Sequence, residues 1–358
     1  MAILVLCEPE YMQTMQCDAK LKGILCEVRR RRIPIRFFTD PVAAKNAAVH
    51  GDAACSVILL FDSMQWLQET AAVLSDCDAH FILATDLADI PLPIRYSRVG
   101  TDLDAAMETA VRYLRNSGKS RIALLDTSAD SCSSRACIAA LEKHVPKEEF
   151  CIFDSDFDAF FAVHKDFDTV LCTNDLAAAF LCERLRQYPP PFVLSLTNTS
   201  MAKFYREGIT SIAADDRVCG KMIIQTHFHR GKYGFSRTVN LLPAELVVRG
   251  STLPSHATVQ QPQPPSAACA DTLRRLARML TSSDLTDLKI LYGLLCGYDY
   301  DKIHSVFFIM PGTARYRMRR IRTALGVQSK RDVAEILQAY IRTDNLLTIL
   351  NETEQELR

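Results

Sequence analysis

Arg315, Arg317, Arg319, Arg320 and Arg322 fall within one predicted helix, Pro311–Ala324, that carries no acidic residue. A solvated helix face usually mixes signs. Arginine at this density on a small domain is the electrostatic footprint of nucleic-acid binding. The surrounding segment, 271–342, holds 13 Lys and Arg against 7 Asp and Glu, a net charge of +6, while the whole chain balances 42 against 42. Other groupings have the residue types for catalysis or metal binding but not the spacing. Gly118-Lys119-Ser120 imitates a phosphate loop, yet Tyr113 stands where the motif opens on glycine, and the triplet runs into a strand rather than a helix. Asp154, Asp156 and Asp158 alternate as in a calcium loop, but Ala159 and Lys165 replace the turn glycine and the bidentate glutamate. His227 and His229 sit two apart on a helical pattern and point to opposite sides. Cys132 or Cys137 with His144 has only composition in its favour as a catalytic pair. No G-x-S-x-G or H-E-x-x-H occurs, so neither enzyme activity, metal nor cofactor is expected.

The chain of 358 residues is long enough for roughly two to three domains of about 150 residues. Its 48% hydrophobic content supplies more than one core. No run approaches the ~20 apolar residues of a membrane helix, so no membrane partner is expected. The start, MAILVLCEPE, has no basic region and is not a secretory signal. Thirteen cysteines without a C-x-x-C pair indicate reduced thiols in a cytoplasm.

From residue 2 to about 250, short apolar runs alternate with helical patterns. The runs Ala2–Cys7, Ile35–Phe38, Ser56–Phe61, His80–Ala84, Arg121–Leu125, Asp168–Thr173 and Phe192–Leu196 lack clean alternation, as buried parallel strands do. Repeated βα units imply open parallel sheets, and some ten strands are better divided between two lobes than held in one sheet. Ligands of such sheets sit beyond the strands' carboxyl ends, here in a crevice between lobes. Glu8, Asp62 and Asp86 follow apolar runs at such ends, where each serves equally as a ligand contact or as a helix cap or loop acid. Residues 251–270 hold four prolines and no charge and read as a stiffened linker. Beyond it five short helices are predicted: Asp271–Thr281, Asp284–Cys296, Asp299–Phe307, Pro311–Ala324 and Ser329–Ile341. Asp284, Asp299 and Ser329 are natural caps, and Pro311 suits a first turn. The tail, 343–358, carries Leu346, Leu347, Ile349 and Leu350 and reads as a further helix suited to packing on a partner.

The segment LTDLKILYGLLCGYDYDKIHSVFFIMPGTARYRMRRIRTALGVQSKRDVAEIL, from Leu285, resembles the LuxR-type helix-turn-helix domain over about 55 residues without a gap. Leu285-Thr286 opens the first helix and Gly297 ends it. Ile303 falls at a buried position of the second, Thr313-Ala314 begin the recognition helix, and Leu325-Gly326-Val327 and Ser329-Lys330-Arg331 follow at the family spacing. Asp287 stands in the place of the usual Arg, Met310 of the Ser cap and Arg317 of the common His. The resemblance implies double-stranded DNA as partner. A recognition helix reads base edges from one face near its start, which selects Arg315, Tyr316 and Arg319 beside Thr313. Arg317, Arg320, Arg322 and Lys330 are assigned to phosphates. Ile303, Ile309, Ile321 and Leu325 are core.

The first 250 residues resemble the effector-binding domain of the LacI/GalR repressors, which has the periplasmic-binding-protein fold. The likeness is carried by Asp102-Leu103-Asp104-Ala105-Ala106 with Tyr113–Lys119 and the strand from Arg121, by Ser134-Arg135, by Thr173-Asn174-Asp175, and above all by Leu242-Pro243-Ala244-Glu245-Leu246-Val247-Val248-Arg249-Gly250-Ser251-Thr252. It implies lobe 1 over about 1–98 and 215–240 and lobe 2 over about 99–213 and 241–250. Arg135 and Asn174 fall at ligand-contact positions, while Asp175 reads as a helix cap. Thr197-Asn198 replace the family's acidic turn, which disfavours a sugar. The expectation is therefore a cytoplasmic, homodimeric transcription regulator that is not an enzyme. It has a two-lobed α/β sensor of parallel sheets at 1–250, a linker at 251–270, a helix-turn-helix domain at 271–342 and an unidentified small-molecule effector. The alternative is a DNA-binding factor whose sensor is vestigial and only dimerises.

Overall fold

A computed structural model describes residues 3–50, 56–186, 191–233, 237–253 and 267–356. The chain opens β1 (Ile3–Cys7), α1 (Met15–Arg31), β2 (Ile35–Phe38), α2 (Pro41–Val49), β3 (Ser56–Leu60), α3 (Met64–Val73), β4 (His80–Ala84) and β5 (Tyr96–Thr101). It continues through α4 (Leu103–Asn116), β6 (Ile122–Thr127), α5 (Cys132–His144), β7 (Phe150–Asp154), α6 (Phe157–Val163), β8 (Thr169–Cys172), α7 (Asp175–Leu185), β9 (Phe192–Ser195), α8 (Ser200–Phe204) and β10 (Thr210–Ala213). After α9 (Asp216–Tyr233) come β11 (Val239–Leu242) and β12 (Glu245–Val247). The rest is helical: α10 (Ala267–Ser282), α11 (Leu285–Leu295), α12 (Tyr300–Phe307), α13 (Pro311–Leu325), α14 (Lys330–Tyr340) and α15 (Thr343–Glu356).

The strands form two six-stranded sheets, in the orders β11-β5-β4-β3-β1-β2 and β12-β10-β9-β8-β6-β7. Read from the other edge, each sheet repeats one winding. The first strand lies between the second and third, and the later strands follow on one side. Strand order therefore reverses at β1/β3 and at β6/β8, the switch points where open α/β sheets bind ligands. The chain is thus a two-lobed, periplasmic-binding-protein-like α/β fold followed by an all-helical region. All seven predicted strands are present, within one or two residues at their ends.

Two compact units are defined by contact, Met1–Phe167 with Ile212–Leu246, and Asp168–Ser211 with Val247–Arg358. In the first, one face of the first sheet packs Leu4, Leu6, Val57, Leu59 and Phe81 against Leu67, Ala71 and Leu74 of the α3 region. The other face packs Ile3, Val5, Ile58 and Ile82 against Ile24 and Val28 of α1 and Ile223 and Ile224 of α9. Coverage on both faces explains the unbroken apolar runs. In the second unit, the helical bundle buries Leu276, Leu291, Ile303, Ile309, Ile321, Leu325, Val333 and Leu337, and it also takes in Phe204 of α8. The four residues expected in this core are all there. The tail differs from expectation: Leu346 and Leu350 of α15 enter the same core instead of awaiting a partner. The first bundle helix begins at Ala267, earlier than Asp271. The middle of the predicted linker, 254–266, lies outside the described residues.

Helix starts follow side-chain chemistry. Asp284 and Ser329 make capping boxes with Asp287 and Asp332, and Asp299 caps α12 through Lys302 N. Gly297 closes α11 at φ +74°, where a side chain is strained. Helices α1 and α9 approach so closely that a Cβ on Gly220 would lie 2.0 Å from the Lys20 carbonyl oxygen, and one on Gly23 equally close to that of Arg217. Gly220→Val is therefore expected to lower stability by at least the 1–3 kcal/mol (order of magnitude) typical of overpacking, measured by chemical denaturation of the full chain; an unchanged midpoint would mean the helices separate freely.

Candidate functional site

Two groups of the predicted ligand contacts assemble, one in each unit. In the first unit Glu8, buried at the end of β1, accepts hydrogen bonds from Asp62 N at 2.8 Å and Ser63 N at 3.1 Å. The Asp62 carboxylate in turn accepts from Ser133 N at 2.9 Å, at the start of α5. Asp130 accepts from Ser63 Oγ at 2.5 Å and Gln65 N at 2.9 Å, and the Ser63 hydroxyl holds its carboxyl below the usual carboxylate range. A two-residue antiparallel bridge, Ser63 to Ser131, closes the junction. Glu8 and Asp62 are thus bound into a backbone-capping cluster around the β1/β3 switch point. Arg135 stands beside it, exposed, with Nε donating to the Ala129 carbonyl at 2.8 Å. Asp86 ends the neighbouring β4 and accepts from Thr101 N at 2.5 Å.

The second group surrounds the turn after β9. Asn174, rather than Asp175, is the cap of α7: its side chain accepts from Ala177 N at 2.9 Å. Asp175, expected as that cap, is instead wholly buried beneath the turn, where its carboxylate accepts from Thr199 N at 2.6 Å. Thr197 Oγ1 accepts from Asp175 N at 3.1 Å. The Asn198 side-chain oxygen accepts from Arg249 Nη2 at 3.0 Å, and Arg249 Nη1 donates to the Ile209 carbonyl at 2.6 Å and Ser211 Oγ at 3.1 Å. Both polar residues that replace the family's acidic turn are therefore used to lock it. Sequence reading missed Asp175 and Arg249 as parts of this site. Asp175 differs from a cap only by one position, but Arg249 sat visibly in the most specific motif.

The third feature is cationic. Asp287, almost wholly buried in the first turn of α11, receives Arg317 at 3.2 Å and also Arg320, while Arg317 reaches Asp284 at 2.7 Å. An acid at 287 and an arginine at 317 thus compensate each other across two helices. Lys330 Nζ donates to the Tyr298 carbonyl at 2.8 Å and lies 4.9 Å from the Tyr300 ring centre. Arg322 donates to the Gln328 carbonyl at 2.6 Å. All four residues assigned to phosphates are consequently engaged within the bundle, whereas Arg319 and Thr313 are exposed, Tyr316 is 68% exposed, and Arg315 is an exposed cation 5.7 Å from the Tyr300 ring centre.

The rejected chemistries stay apart. His144 pairs with Asp104 at 2.6 Å, away from the buried thiols, and burial pushes Cys132 up to about 12. His227 meets Ser56 Oγ at 2.8 Å. Asp156 caps α6 through Ala159 N. Among the described residues no metal-binding cluster occurs and no helix is long and apolar enough to cross a membrane.

No family model matches the chain, and no curated protein matches it in sequence. Solved structures do match in fold. A transcription regulator from Lactobacillus plantarum has a TM-score of 0.57 at 18% identity, covering 70% of this chain and 99% of that one. The transcriptional regulator CelR in complex with cellobiose gives 0.55 at 16%, covering 70% and 84%. A dimeric Lac repressor with an 11-residue C-terminal deletion gives 0.57 at 16%, covering 71% and 99%. The structural neighbours are LacI-family transcription regulators.

Burial raises the Asp175 carboxyl to about 6 despite its hydrogen bonds. The neutral acid favours the fold, so its contribution is complete below about pH 4 and is lost as pH rises through about 6, an effect on the order of 3 kcal/mol. Asp175→Asn is expected to be the more stable protein at pH 7.5 and to flatten the profile by that amount, read by denaturant titrations between pH 4 and 7.5; superimposable profiles would remove the buried charge from the argument.

Proposed function

We propose that this protein is a ligand-responsive transcription regulator whose C-terminal bundle is a helix-turn-helix that binds double-stranded DNA. The observation that carries the reading is a single segment, Thr197–Arg206. It begins as the turn over Asp175 and ends bound to the helical bundle. Phe204 is part of the bundle core, Tyr205 forms an antiparallel bridge with Ile341, and Arg206 N donates to the Tyr340 carbonyl at 2.8 Å. Asn345 of α15 donates to the Tyr205 carbonyl at 2.9 Å, and Ser200 Oγ lies 3.0 Å from Thr281 Oγ1. A chemical event at the turn therefore reaches the DNA-binding helices through contiguous packing.

In this reading Arg315, Tyr316 and Arg319 read base edges from the exposed start of α13, with Thr313 beside them. Arg317 and Arg320 position α13 on α11 through Asp287 and add charge at its rim. Three of the neighbours hold cellobiose, sucrose or ribose, and the class proposed for the effector here is likewise a small polar molecule, with the exposed Arg135 as its proposed contact. Two copies of the chain, as in the Lac repressor dimer, present two heads to two half-sites a helical turn or so apart.

A second reading is favoured by a specific observation. Glu8, Asp62, Thr197 and Asn198 all spend their polar atoms on the protein's own backbone and on Arg249, as in a scaffold that only dimerises.

DNA affinity of the full chain for a mixed-sequence duplex is expected to fall steeply with salt, and Arg322→Gln, at a position assigned to phosphate, to reduce the slope of log K against log salt by about 0.9, the value of one phosphate contact. A flat salt dependence of the unaltered chain would sink the DNA-binding reading. Titrating cellobiose, sucrose and ribose at millimolar concentration tests the sensor reading: a several-fold change in DNA affinity that Arg135→Ala removes supports sensing against the scaffold, and no change with any of them removes these sugars as effectors.

A further inference from the structure

The turn joining α12 to α13 exposes what a turn normally hides. Phe308 adopts the left-handed conformation, φ +57°, with its N–H donating to the His304 carbonyl at 2.8 Å. Glycine or asparagine takes this conformation without the Cβ clash that a phenylalanine suffers. Its ring is 87% exposed, so the position carries backbone strain and gains no burial in return. Two residues on, Met310 precedes α13 with 62% exposure and offers no side-chain cap. Val306, on the last turn of α12, is also exposed. An exposed apolar cluster on strained backbone marks a surface that something else covers.

The charge around it selects the occupant. From Lys302 to Arg331 the chain has eight cations and no Asp or Glu; Arg317 and Arg320 pair with Asp284 and Asp287 and Arg331 with Glu335, so the field comes from Lys302, Arg315, Arg319, Arg322 and Lys330. An apolar protein groove rimmed by mixed charge is a poor match for such a field; a polyanion with apolar facets is a good one. Duplex DNA has those facets in its deoxyribose edges and thymine methyl groups, beside the phosphates that the cations attract.

We propose that Phe308, with Met310, is a DNA contact of the apolar kind, seated on sugar and thymine-methyl surface next to the bases read by α13. The proposal rests on the DNA-binding reading above and adds to it a term that is independent of charge. An apolar contact releases no counterion, so it raises affinity by the same factor at every salt concentration and leaves the salt slope alone. It also implies that the strain at Phe308 is retained for binding and not for folding.

The test is a salt titration of the full-length chain against an A·T-rich duplex, comparing the unaltered protein with Phe308→Asn and Arg322→Gln. Phe308→Asn is expected to weaken binding five- to twentyfold in parallel across the salt range, with an unchanged slope and an unchanged or higher Tm, because asparagine relieves the left-handed strain. Arg322→Gln is expected to lower the slope. If Phe308→Asn binds as tightly as the unaltered chain while the unaltered chain keeps its steep slope, DNA binding stands and the apolar contact is overturned. Dissociation of a dimer by Phe308→Asn in sedimentation, with DNA affinity per protomer intact, overturns it as well, in favour of a second copy of this chain as the occupant. A flat slope in the unaltered chain removes the DNA-binding reading itself.

Discussion

A partly buried guanidinium organises the stretch between the turn after β9 and the helical bundle. Arg249 leaves water to donate to Asn198, the Ile209 carbonyl and Ser211, and burial holds its pKa below the usual arginine range. A desolvated cation is tolerated only when its donors are met and a counter-charge is near. Three donors are met by these acceptors, and Asp175 supplies a nearby acid whose own charge is opposed by burial. The arrangement fixes β10, the return from β12 and the turn after β9 to one another. Because α8 follows that turn directly and is embedded in the bundle through Phe204 and Tyr205, the position of the helical region is set from the same place.

A parallel arrangement holds α13. Its arginines look interchangeable in a charge count, yet they divide by partner. Arg317 and Arg320 converge on one nearly inaccessible carboxylate, Asp287. Arg315 and Arg319 are turned outward. One helix thus contains both the means of its own placement and the surface it presents, and the acid that looked like a departure from the LuxR-type pattern is what separates the two roles.

The strands, helix caps and bundle core were legible because each is a local pattern. Runs of Val, Ile and Leu need only burial on both sides, and Asp284, Asp299 and Ser329 need only the amide groups that follow them. What escaped were edge strands such as β7, apolar from Phe150 to Phe153 but half-exposed, and β12, only three residues long. The site escaped for a different reason. Whether Glu8 or Asp62 faces a ligand or caps a neighbour's backbone depends on loops brought together from distant parts of the chain. The same holds for Arg317 and Arg320, whose partner lies on another helix. At Asn174 and Asp175 the difference was one residue of helix phase, enough to exchange a surface cap for a buried acid.

The first sheet has a history written into its order. Strand β5 is paired on one side by β4, but on the other by β11, the strand from Val239 to Leu242. The α9 helix that covers one face of the same sheet is also late in the chain, at Asp216–Tyr233. During synthesis, therefore, a row of unpaired backbone groups on β5 and an uncovered apolar face on β1, β3 and β4 persist while the whole of β6 to β10 emerges. Open edges and bare faces of this kind are the templates on which nascent chains join one another. The architecture that lets the chain return to its first lobe leaves that lobe open to such joining until the return is complete.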